Sequence, residues 1–132
     1  MTDPLKDEIR RWITVAENDF RAYSILAAQD MPPAMAVSFH CQQYVEKLLK
    51  AVLTINGKEI TKTHDIRSLS IAASQYIPSL KAFIDDAAEL TIYGVETRYP
   101  TATEISDSEM REAVEIATKT GALLQEYLLR RL

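Results

Sequence analysis

Apolar residues recur at three- and four-residue steps through most of the chain, and that periodicity predicts helices. Leu5, Ile9, Trp12, Ile13, Ala16, Phe20, Tyr23 and Ala27 form the first stripe. Asp3 stands in the cap position before Pro4, a residue the first helical turn tolerates. Asp30-Met31-Pro32-Pro33 ends the stripe. A second helix is expected from about Pro33, with Val37, Cys41, Tyr44, Val45, Leu48, Leu49, Val52 and Ile55 inward and Asn56-Gly57 as its left-handed stop. Thr63 or Asp65 then caps a short helix carrying Ile66, Leu69 and Ile71. Pro78 opens a further helix with Leu80, Phe83, Ile84, Ala87 and Leu90 inward, followed by an irregular stretch from Ile92 to Ile105. Ser106-Asp107-Ser108-Glu109 has the spacing of a capping box, and a last stripe runs through Met110, Ala113, Val114, Ala117, Gly121, Leu124 and Leu128. Arg130 and Arg131 suit the negative end of that helix.

No segment alternates with the period of two that strands require. The expectation is therefore all-α: an antiparallel up-and-down bundle of four long helices plus one short helix, forming a single domain over residues 1–132. Composition agrees, with 47% hydrophobic and 26% charged residues and only three glycines. No apolar run approaches a membrane span, and the charged start MTDPLKDEIRR does not read as a signal peptide, so a cytoplasmic protein without membrane contact is expected. Cys41 has no second cysteine to pair with, and two histidines make a metal site improbable on counts alone, so neither metal nor cofactor is expected.

Charge changes the picture more than composition does. The chain carries a net −4, but residues 46–67 hold five basic against three acidic side chains, while residues 81–126 hold four against ten. An anionic ligand is expected to prefer the first region. There Gln43, Lys47 and Lys50 share a helical face beside Glu46. The bland reading is a solvated face with a Glu46–Lys50 pair; the functional one is a pair of cations for phosphate oxygens. His64 precedes a helix start, where free amides favour an anion, although it also fits a histidine bonded to its own turn. In Val95-Glu96-Thr97-Arg98-Tyr99-Pro100 the proline imposes an extended shape. Arg98 and Tyr99 fit either a tyrosine-anchored loop or a phosphate clamp with a base-stacking ring. Met31, Met35, Trp12 and Tyr23 are candidates for an exposed apolar patch.

Phe39-His40-Cys41-Gln42-Gln43-Tyr44-Val45-Glu46-Lys47-Leu48-Leu49-Lys50-Ala51, with Thr63-His64-Asp65-Ile66 downstream, resembles the signature of HEPN domains (higher eukaryotes and prokaryotes nucleotide-binding). Ala16-Asn18-Asp19-Phe20 and Arg98-Tyr99-Pro100 fit the same pattern. The resemblance implies a helical bundle, a homodimer, and a small nucleotidyltransferase partner in a toxin-antitoxin-like pair. Many relatives of that kind are metal-independent RNases with an Arg-x4-6-His motif; here no arginine stands at that spacing before His40 or His64, and no histidine follows Arg98. The resemblance therefore implies a binding module for a nucleotide or short RNA, with Lys47, Lys50, His64, Arg98 and Tyr99 as candidate contacts. Two alternatives stand beside it: a divergent RNase using Arg98 and Tyr99, weakened because tyrosine is a poor base near neutrality, and a purely structural dimerisation bundle.

Overall fold

The computed structural model describes residues 1–59, 62–95 and 104–132. Among these, the helices are α1 (Asp3–Ala27), α2 (Ala34–Ile55), α3 (Ile66–Ser74), a 3-10 helix (Pro78–Phe83), α4 (Ile84–Ala88), α5 (Thr91–Val95) and α6 (Asp107–Leu129). No strand occurs among the described residues. The all-α expectation holds, with one correction to the helix inventory. Three helices are long, and the expected long helix from Pro78 is instead a 3-10 helix followed by two one-turn helices. Leu80, Ala87 and Leu90 are still buried as expected, while Phe83 and Ile84 are only half-buried. The stripe was correct; its continuity was not, because periodicity reports which side chains face inward and not whether the hydrogen-bond ladder is unbroken.

The termini follow local chemistry closely. Thr2, one residue earlier than expected, caps α1 by accepting from the Leu5 amide, so that Asp3 and Pro4 belong to the first turn. Gly57 ends α2 with φ at 73°, the left-handed region that a side chain disfavours. Asp65 caps α3 by accepting from the Arg67 amide. The Ser106–Glu109 capping box is present in both directions. At the other end of α6, Arg131 donates to the Tyr127 carbonyl and Arg130 pairs with Glu126.

Helix α2 is the central element. It packs against α1, α6, α3 and α5, and apolar side chains all round it are buried, Val37, Cys41, Val45, Leu48, Leu49 and Val52 completely so. Hydrogen bonds from Gln125 to Tyr44 and from Asn56 to Tyr127 tie α2 and its C-cap to the second half of α6. Phe20, Tyr23 and Tyr44 cluster with ring centroids 5.2–5.8 Å apart where α1, α2 and α6 meet, Tyr23 and Tyr44 buried and Phe20 exposed at the edge. Gly121 is required here, since a side chain at that position would run into the Tyr44 ring. Tyr23 is buried and bonded to Thr118, so it does not belong to an exposed patch, and Trp12 is half-buried; Met31 and Met35 are exposed as expected. No helix among the described residues is long and apolar enough to cross a membrane.

Candidate functional site

Helix α2 carries a second pattern inside its apolar one. Ser38, Gln42, Glu46, Lys50 and Thr54 stand at strict four-residue spacing and are all buried. Buried polar groups require partners, and burial of charge requires more than one. Glu46, 5% exposed, meets that demand with three donors: Gln42 Nε2 at 2.8 Å, His64 Nδ1 at 3.0 Å and Lys50 Nζ at 3.1 Å. The Gln42 carbonyl accepts in turn from Gln43 Nε2 at 2.7 Å. Gly94 of α5 lies directly against the Gln42 side chain, where a Cβ would collide with it. The missing side chain is what lets α5 close over this part of the stripe.

A second carboxylate sits across from it on α1. Asp19, 6% exposed, receives His40 Nδ1 at 2.8 Å and Lys47 Nζ at 2.6 Å. The two clusters have the same composition: one buried carboxylate, one lysine and one histidine held through Nδ1. A carboxylate on Nδ1 fixes the proton there and turns Nε2 outward. His64 is the more accessible of the two, with 59% of its side chain exposed, against 31% for His40. Each cluster thus pairs one ammonium with one carboxylate.

This arrangement corrects the simpler sequence picture. Lys47 and Lys50 do not form one cation pair on a solvated face. Lys50 is buried and committed to Glu46, while Lys47 turns to Asp19 and keeps a quarter of its side chain exposed. His64 neither bonds its own turn nor marks an open helix N-terminus. Asp65 takes the Arg67 amide and Thr91 Oγ1 takes the Ile66 amide, so the start of α3 is already satisfied. Thus the structure brings Lys50 and His64 together on Glu46 and assigns Lys47 to a separate cluster. Arg98 and Tyr99 lie outside the described residues.

Two participants carried little weight in the sequence reading. Asp19 interrupts the apolar stripe of α1 at an inward position, and that interruption is the signal that could have drawn attention to it. His40 has its partner on α1, 21 residues earlier, and no local spacing signals that contact. Cys41 is buried among apolar side chains, which pushes its thiol up to about 12 and makes it a poor nucleophile. Among the described residues no group of histidine, cysteine, aspartate and glutamate side chains is placed to hold a metal ion.

No curated protein and no solved structure matches this chain. The HEPN domain family model matches residues 9–126, a span that contains α2, both clusters and most of α6. The chain belongs to the HEPN family.

Proposed function

We propose that this protein is a HEPN binding module that engages a nucleotide or short RNA through its phosphates. Lys47 and the Nε2 edges of His40 and His64 are its contacts, and Asp19, Glu46 and Lys50 hold those contacts in place. The observation that carries the reading is the pair of buried carboxylates, each holding one lysine and one histidine by Nδ1. The segment 46–67, which supplies Lys47, Lys50 and His64, holds five basic against three acidic side chains. Family membership supports the same ligand class. Arg98 and Tyr99 are proposed as additional contacts from the connection between α5 and α6. The module acts as a homodimer with a small nucleotidyltransferase as partner, in a toxin-antitoxin-like pair.

Binding of a fluorescent single-stranded RNA and of ATP, measured by anisotropy and calorimetry, tests this reading. Removing one charge-assisted contact by His64→Gln or Lys47→Ala is expected to weaken binding about tenfold. Absence of binding to either ligand at millimolar concentration rejects the module. RNA degradation that His64→Gln or Arg98→Ala abolishes replaces it with the RNase reading, for which the Glu46-held imidazole is the acid-base candidate. Co-purification of the nucleotidyltransferase with wild-type protein tests the partner assignment.

A further inference from the structure

Helices α1 and α6 each pack against α2, and the groove between them encloses about 430 Å³, with the Tyr44 ring at its floor and Thr118 and Gln125 on its α6 wall. The polar atoms inside it are already satisfied: Gln125 donates to the Tyr44 hydroxyl, and Thr118 shares a hydrogen bond with Tyr23. What stays unmatched stands on the α1 wall. Phe20 keeps 37% of its surface exposed, and Glu17 and Arg21 lie before and after it, one helical turn apart. A glutamate four residues before a cation has the favoured spacing for an intrahelical pair. Glu46, Glu115 and Glu126 each have a lysine or arginine at that spacing, and each is bound to it. Glu17 and Arg21 have the same spacing and form no ion pair among the described residues, although Glu17 is close enough to Tyr44 for its charge to add to burial in raising that hydroxyl. Two opposite charges are thus left open beside an exposed aromatic ring.

We propose that this groove is the face through which two copies of the chain pair, α1 against α1, which rests on the homodimer reading above and gives it a surface. A twofold axis passing near residues 19 and 20 runs the two α1 helices antiparallel, so that Glu17 of each copy meets Arg21 of the other and Phe20 of each enters the other's groove. The contact is self-complementary: one axis closes both open charges of each copy and covers both exposed rings. Apolar contact at the centre with charge at the rim is the usual anatomy of a protein interface. Residues two apart on a helix point about 200° apart, so Glu17 and Asp19 flank opposite sides of the buried face of α1. Pairing through the groove therefore leaves the Asp19 cluster uncovered, and dimerisation and ligand binding are separable.

Sedimentation equilibrium of the full chain, with light scattering after gel filtration, tests the proposal. Wild type is expected to be a dimer. Glu17→Arg and Arg21→Glu each set like charges opposite one another at both ends of the contact and should weaken pairing at least about tenfold. Neither should lower the melting temperature, since both side chains are exposed. Mixing the two variants should restore pairing as a heterodimer, because the two cations of the first then face the two carboxylates of the second. The double variant Glu17→Arg, Arg21→Glu should pair with itself again. Arg11→Glu, an equal change of charge at another exposed position of α1, should leave pairing unchanged. A dimer that both single variants leave intact overturns this face while the homodimer stands, and a monomeric wild type overturns both. Loss of pairing in the single variants without recovery in the mixture or the double variant overturns the contact between Glu17 and Arg21.

Discussion

Replacing Glu46 by glutamine keeps the shape of the side chain and removes its charge. The consequence falls on Lys50, whose side chain is 9% exposed and whose ammonium has Glu46 as its ion-pair partner. An uncompensated buried charge costs about 3–5 kcal/mol when its partner is removed. Because the substituted amide still offers one oxygen, the lower end applies, about 3 kcal/mol. For a chain of this size that corresponds to a fall in melting temperature of roughly 10 °C. Lys50→Met should cost less, about 2 kcal/mol, because Glu46 keeps Gln42 and His64 as donors. The double variant Glu46→Gln, Lys50→Met leaves no charge stranded and should be no less stable than Glu46→Gln alone, a coupling of about 2 kcal/mol. Glu115→Gln is the matching control at a fully exposed, solvent-screened pair, where the loss should be much smaller than that of Glu46→Gln. Urea unfolding of the four variants, with slopes compared to confirm two-state behaviour, measures all of these. If Glu46→Gln costs no more than Glu115→Gln, Lys50 is not a buried, committed cation, and the division of roles between Lys47 and Lys50 fails with it.

Further outcomes follow from other parts of the fold. Gly121→Ala drives a methyl group into the Tyr44 ring and should cost about 1–3 kcal/mol in the same urea assay. Ser106→Ala removes the hydroxyl that accepts from the Glu109 amide and should cost about 1 kcal/mol, localised by faster hydrogen exchange in the first turn of α6. Burial raises Cys41 and Tyr44 each to about 12, above their ordinary values of 9.0 and 10.0. A raised acid binds more protons folded than unfolded, so the stability it contributes is complete below the ordinary values and is lost as pH climbs from about 9 towards about 12. Stability curves measured across that window should fall in wild type and fall less in Cys41→Ala. At neutral pH, labelling of Cys41 by a thiol reagent should track global unfolding rather than occur in the native state.

Much of the fold was readable because it rests on local and periodic effects. The caps at Asp65 and Ser106, the stop at Gly57 and the inward faces of α1, α2 and α6 all follow from backbone sterics, orphan amides and the 3.6-residue repeat, which act over a few residues. The break of the expected fourth helix was not readable, since the same residues point inward whether the segment is one helix or three short pieces. For the site, the residue types at positions 47, 50 and 64 were legible, but their partners were not. Lys47 and Lys50 look equivalent on a helical wheel, three residues apart. They differ because α1 brings Asp19 to the first, while the second turns inward to Glu46 beneath His64. The partner atoms lie 18 to 28 residues away in the chain for His64, His40 and Lys47, and only tertiary packing sets those distances. By itself the sequence determined a helical chain, its punctuation and a stripe of polar residues on its central helix. The tertiary structure decided that the stripe is buried, because α1 and α5 close on α2 from both sides, and burial turned loose surface charges into two ordered carboxylate-lysine-histidine clusters.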